Sequence, residues 1–104
     1  MLRRTSKFHV GQLVMHRRLK YRGVVVDVDP VFRENDAWLE SASSPRARNQ
    51  PWYRILPDGS AHEVYVCERK LEPDSRALRI RHPLVWLYFS DFRDGAYISA
   101  RRSN

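Results

Sequence analysis

Residues 21–30 read YRGVVVDVDP, and this stretch decides the fold. Val24, Val25, Val26 and Val28 are β-branched; such side chains crowd a helical turn and lose little freedom on a pleated strand. The run predicts the central strand of a small β domain. Because side chains alternate along a strand, Val24, Val26 and Val28 are expected on one face, with Val25, Asp27 and Asp29 on the other. Gly23 lets the backbone bend or accept a close neighbour at the entrance, and Pro30 removes a ladder donor at the exit.

N-terminal to this strand, FHVGQLVMH breaks its alternation at Gly11-Gln12, which suits a turn or bulge, and then resumes as a short strand over residues 13–17. The connection RLKYR, residues 18–22, leads straight into the valine run and predicts an antiparallel hairpin. Its tip is basic. Residues 1–22 carry Arg3, Arg4, Lys7, Arg17, Arg18, Lys20 and Arg22 with no acid, so this segment alone matches the net charge of +7 of the whole chain. Arg17, Arg18, Lys20 and Arg22 cannot all bury their charge and are expected in solvent or on a partner.

C-terminal to the valine strand, residues 31–50 lose periodicity and form a long excursion, with one capped turn expected around Ala37, Trp38 and Leu39 and mobility near residues 41–49. PWYRIL, residues 51–56, and HEVYVCE, residues 62–68, read as a second hairpin across the Pro57-Asp58-Gly59 turn, with both faces partly apolar as in a small closed sheet. Residues 71–78 are a connector able to add one short edge strand. In HPLVWLYFSDFRDG both periods fit: Leu84, Trp86 and Tyr88 line a strand face, whereas Val85, Tyr88, Phe89 and Phe92 keep helical spacing. Pro83 at a first helical position and Gly95 as a stop favour a helix of about two and a half turns.

The 104 residues therefore predict one small, mainly β, antiparallel domain with a long loop and a short C-terminal helix, ordered over about residues 7–98 and flexible at 1–6 and 101–104. Hydrophobic residues at 42% exclude wholesale disorder. Cys67 is the only cysteine, so the fold holds without an internal disulfide, and the residue is expected to be a buried thiol. No apolar run approaches the roughly 18 residues of a membrane span, and no signal-like apolar segment follows the basic start; the chain reads as soluble and cytoplasmic, with no membrane partner.

The residue inventory disfavours an enzyme. His9, His16, His62 and His82 are scattered and Cys67 has no close ligand partner in sequence, so no metal site is expected. No GxSxG, phosphate-cradling glycine loop or HExxH occurs, and no catalytic residue or cofactor is assigned. Asp27 and Asp29 have the spacing of paired carboxylates, but a turn-forming Asp29 and an arginine-paired Asp27 are the simpler reading. Basic residues interleave with aromatics around Tyr21 and in Trp52-Tyr53-Arg54, a pattern able to track phosphates and stack on bases, although Trp52 and Tyr53 serve equally as core. The candidate contacts to DNA or a protein partner are Lys7, Arg17, Arg18, Lys20, Arg22 and Arg54. Charge alone leaves nucleic acid, an anionic protein surface and a merely solvated arm open.

Two segments, SKFHVGQLVMHRRLKYRGVVVDVDPVF and PWYRILPDGSAHEVYVCERKLEP, together resemble the HspQ family, also called the YccV-like hemimethylated-DNA-binding domain. The resemblance is carried by Lys7-Phe8, Gly11-Gln12, Val14, His16, Tyr21, Gly23 to Asp27, Asp29-Pro30, Pro51-Trp52-Tyr53 and Tyr65, and the ending HPLVWLYFSDFRDGAYI is similar to that of some bacterial members. It implies a small antiparallel β-barrel-like (SH3-like) domain and a heat-shock-associated, non-catalytic protein that binds hemimethylated double-stranded DNA, promotes Lon-dependent degradation of selected or denatured clients, and forms small homo-oligomers. The excursion and the very basic first hairpin depart from common members. The two functional hypotheses are thus a Lon protease accessory factor acting on client proteins and a DNA-binding module using the basic hairpin.

Overall fold

A computed structural model describes residues 6–31 and 49–99. The expected tails, the capped turn at 37–39 and most of the excursion lie outside the described residues.

The valine run is strand β2, Arg22–Asp29. It sits at the centre of a five-stranded antiparallel sheet of order β4-β3-β2-β1-β5, with β1 Leu13–His16, β3 Trp52–Pro57, β4 Val64–Cys67 and β5 Leu71–Pro73. One turn of 3-10 helix, Glu68–Lys70, joins β4 to β5 and carries the chain from one end of the strand order to the other. β4 and β5 at the two ends of this order do not pair, so the closed sheet expected from the two-sided apolar pattern is an open one.

The expected face assignment of β2 fails beyond Val26: Val28, and with it Asp27 and Asp29, change faces relative to the expectation. Val25 pairs with Ile55 and Asp27 with Arg54, so two steps along β2 match one along β3 and Val26 is the extra residue of a bulge. Val24 and Val26 pack with Leu13 and Leu56 on one face, but Val28 joins Val25, Val14, Tyr53, Ile55, Val66, Leu71 and Phe8 on the other. The bulge moves Val28 to the face it was not expected on and puts Asp27 opposite Arg54. Gly23 answers to close approach: a Cβ there would stand 2.4 Å from Ile55 Cγ2 and 2.9 Å from the Leu56 carbonyl oxygen.

Residues 84–95 are corrected more strongly. The helix α1 is a single turn, Val85–Tyr88, followed by a hairpin of β6 Phe89–Arg93 and β7 Ala96–Ser99, with Gly95 in its turn rather than at a helix stop. Val85, Phe89 and Tyr97 cover the Val24/Val26 face of the large sheet together with Ile80. Tyr97 secures this lid twice: its phenol oxygen accepts from Ile80 N–H at 2.8 Å, and its own N–H donates to the Gly11 carbonyl at 2.9 Å. Neither template holds throughout: Trp86 and Tyr88 lie in the helical turn, while from Phe89 the chain is strand because β6 finds a partner in β7, and pairing of this kind is invisible to a periodicity argument confined to one segment. Cys67 is buried and free, as expected.

Candidate nucleic-acid interface

The β1–β2 turn is shaped largely by one residue, His16. Its N–H donates to the Tyr21 carbonyl and its carbonyl accepts from Lys20 N–H, both at 2.9 Å. Its ring nitrogen Nδ1 accepts from Arg18 N–H at 3.2 Å and Leu19 N–H at 3.0 Å. An imidazole that accepts through Nδ1 carries its proton on Nε2, so His16 is neutral in this arrangement. Burial holds its pKa below the ordinary histidine value, and the nearby Lys70 and Arg18 charges add to that effect. The ring also lies against Tyr21, centroids 5.2 Å apart. Within the turn Lys20 adopts φ of 64°, a left-handed conformation that a side chain such as lysine adopts only when its surroundings enforce it.

The turn presents Arg17, Arg18 and Lys20 to solvent. The fold then adds cations that are remote in sequence. Arg17 N–H donates to the Lys70 carbonyl at 2.8 Å and Arg17 Nε to the Leu71 carbonyl at 3.1 Å, so the 3-10 turn bearing exposed Arg69 and Lys70 docks against the hairpin tip. Among the described residues none of these five cations forms an ion pair, whereas Arg22, Arg54, Arg76, Arg81 and Arg93 each do. Five exposed like charges on adjacent turns repel one another and attract an anion. Lys7 borders the same turn: its backbone N–H donates to Glu68 Oε2 at 2.8 Å, an oxygen that also accepts from the Tyr53 hydroxyl at 2.7 Å.

Two of the expected contact residues stand apart from this group. Arg22 is not exposed: its Nε is paired with Asp74 Oδ2 and its Nη2 with the Leu78 carbonyl, and the two side chains are only 10% and 1% exposed. The expectation that the hairpin arginines would all face solvent or a partner fails here because β5 delivers a buried carboxylate to the base of β2. Arg54 lies toward the far end of β2, 3.9 Å from Asp27 Oδ2, its guanidinium 5.0 Å from the centre of the Tyr65 ring. Asp29 accepts the Tyr65 hydroxyl at 2.7 Å, so both aspartates of the opening stretch are engaged with side chains of β3 and β4.

The other signature residues serve the scaffold. Trp52 stacks on Tyr65 at 5.1 Å, both almost fully buried, and Pro51 and Tyr53 are buried as well. Tyr53 packs edge-on to Phe8, and burial together with its bond to Glu68 pushes its hydroxyl pKa well above the ordinary value. Trp52 and Tyr53 are thus core rather than stacking platforms for bases. Arg69 and Lys70 escaped sequence reading because their nearness to Arg17 depends on β5 pairing with β1, a contact between segments over fifty residues apart. The ERK triplet that ends the second hairpin was the only local signal.

Among the described residues no group of three or more His, Cys, Asp or Glu side chains is placed to hold a metal ion, and no helix is long and apolar enough to cross a membrane.

An open antiparallel sheet with a hairpin lid and an exposed basic turn defines a small β module with a cationic surface. Residues 6–96 match the family described as hemimethylated DNA-binding protein YccV like, and the chain belongs to that family. Curated relatives include F-box only protein 21 of Homo sapiens, of Mus musculus and of Pongo abelii, each 32% identical over 95 residues. Those matches cover 88% of this chain and 15% of each relative, so the chain spans a small part of the length of these proteins.

Proposed function

We propose that this protein is a non-enzymatic DNA-binding module that engages the phosphate backbone of duplex DNA through Arg17, Arg18, Lys20, Arg69 and Lys70, with Lys7 at the border. The observation that carries this reading is the convergence of the hairpin tip and the 3-10 turn into five exposed cations that form no ion pair among the described residues. Phosphate contacts of this kind supply affinity by releasing counterions and carry no sequence information themselves. The family description supports duplex DNA as the anion and hemimethylated DNA as the preferred form. Arg22 and Arg54 are assigned to the scaffold.

Matched unmethylated, hemimethylated and fully methylated duplexes titrated against the protein test both levels of the proposal. Tighter binding of the hemimethylated duplex supports the full reading; equal affinity reduces it to a general backbone contact. Loss of binding on charge reversal at Arg17, Arg18 and Lys20 is the expected control, and retention of binding by that variant contradicts the assignment of the surface.

A second reading, an accessory role in Lon-dependent degradation of client proteins, is favoured by a different observation. Trp86 and Leu87, adjacent on α1, are 54% and 74% exposed, and large apolar groups left side by side in water suit contact with a protein. The rate at which Lon degrades a denatured client, with and without this protein, tests it. No acceleration at saturating concentration rules it out.

A further inference from the structure

His16 opens the basic turn and makes most of the bonds that define it. Two N–H groups converge on its Nδ1, those of Arg18 and Leu19. Its backbone closes the turn onto Tyr21 and Lys20. Lys20 is held left-handed at the point where this closure occurs. Without an acceptor at Nδ1 the segment between His16 and Tyr21 loses the bonds that restrict Arg18 and Leu19, and its cations sample many arrangements instead of one.

We propose that His16 is a positioning residue for the basic surface: its unprotonated Nδ1 fixes the turn in the arrangement that meets an anionic backbone, and proton uptake at that atom releases the turn. The inference rests on the reading of the surface as a DNA contact and deepens it by adding a control.

Protonation replaces the lone pair that accepts both N–H groups with a third N–H, so acceptor becomes donor and the two bonds are lost together. The groups around the ring oppose that step. On its own turn stand Arg17, Arg18 and Lys20. Tyr21 of β2 lies against the ring, and Lys70 lies beside it with Arg69 next along the 3-10 turn. In β5 the register partner is Leu71. Of the nearby carboxylates, Glu68 is taken by Tyr53 and the Lys7 N–H, and Glu72 stands opposite Met15. Among the described residues no carboxylate pairs with the ring. DNA binding and proton uptake at His16 are linked, so the sign of the pH effect separates two roles. A histidinium touching phosphate binds more tightly as pH falls, whereas a histidine that shapes the turn as an acceptor binds less tightly.

The test uses the full chain and a short DNA duplex, with wild type, His16→Leu and His16→Asn compared between pH 8 and pH 5.5. Asparagine places Oδ1 near the position of Nδ1 and does not titrate. At pH 8, His16→Leu is expected to bind about fivefold more weakly, the size of effect set by two neutral hydrogen bonds partly replaced by water, and His16→Asn to bind as wild type does. On acidification, wild type weakens relative to His16→Asn. In the free protein, the amide resonances of Arg18 and Leu19 titrate together with the His16 ring.

Tighter wild-type binding at low pH, relative to His16→Asn, overturns the positioning role in favour of direct phosphate contact. Equal binding by all three proteins at every pH overturns it as well and leaves the DNA contact intact. A wild type that binds no duplex at any pH overturns the DNA reading itself. If His16→Leu does not fold, the comparison of wild type with His16→Asn across pH decides the matter alone.

Discussion

Removal of the Asp74 carboxylate is the sharpest test of how the basic hairpin is divided between scaffold and surface. The Asp74 side chain is 1% exposed and that of Arg22 10%, and Asp74 Oδ1 also accepts from Arg76 N–H. Asp74→Ala strands a buried guanidinium. Breaking a buried pair by removing one partner costs about 3–5 kcal/mol, and retention of the Leu78 carbonyl by Arg22 places this case near the lower end, about 3 kcal/mol. Against a total stability on the order of 5–15 kcal/mol the loss is large, and at about 4–8 °C per kcal/mol it lowers the melting temperature by on the order of 15 °C. Arg22→Met/Asp74→Leu removes both charges together and is expected to cost less than Asp74→Ala alone, with a coupling of about 2 kcal/mol in the double-mutant cycle. Urea unfolding at pH 7 measures all four corners. Single-variant losses below about 0.5 kcal/mol, typical of an exposed charge, would refute the buried pair and return Arg22 to the solvent-facing set.

Three further outcomes follow from the same geometry. Gly23→Ala forces a Cβ onto Ile55 and the Leu56 carbonyl, and is expected to lose about 1–3 kcal/mol of stability by thermal or urea melts, with little change in DNA affinity once the protein is folded. Tyr53→Phe leaves the buried Phe8 N–H, which donates to the Tyr53 oxygen at 3.3 Å, without its acceptor and is expected to cost about 1–3 kcal/mol, seen as faster amide exchange at Phe8. For His16, whose folded pKa lies below its ordinary value of 6.5, the stability contribution is present above that value and is lost as pH falls through the folded pKa; denaturant midpoints should drop with acid in wild type more steeply than in His16→Asn.

The opening stretch was legible as far as local chemistry reaches. Val24, Val25 and Val26 are a strand because β-branching makes them one, and Gly23 sits where a neighbouring strand allows no side chain. The bulge at Val26 was not legible, because alternation has no means of counting an inserted residue until the partner strand is known. Phe89 and Phe92 keep helical spacing with Val85 and still lie in a hairpin, since Tyr97 supplies the cross-strand contact that spacing cannot show: its ring lies 5.2 Å from Phe89 and 4.6 Å from Phe92. The site divided in the same way. Arg17, Arg18 and Lys20 are exposed for the reason foreseen, that one tight turn cannot bury them all. Arg22 needed Asp74, Arg69 and Lys70 needed the β1–β5 pairing, and the acceptor role of His16 needed the turn geometry. Each of these depends on a contact between segments that the chain order keeps apart, or on dihedral angles that composition does not encode.

The measurement that bears most directly on the central claim is the salt dependence of duplex DNA binding. Five phosphate contacts give a slope of log K against log salt of about −4.5, and replacing Arg17, Arg18 and Lys20 by glutamine should reduce it to about −1.8, leaving Arg69 and Lys70. Thermal melts of the variant control for folding, since Arg17 also donates to the Leu71 carbonyl. A folded triple variant with the wild-type slope would contradict the account and place the DNA contact elsewhere on the molecule.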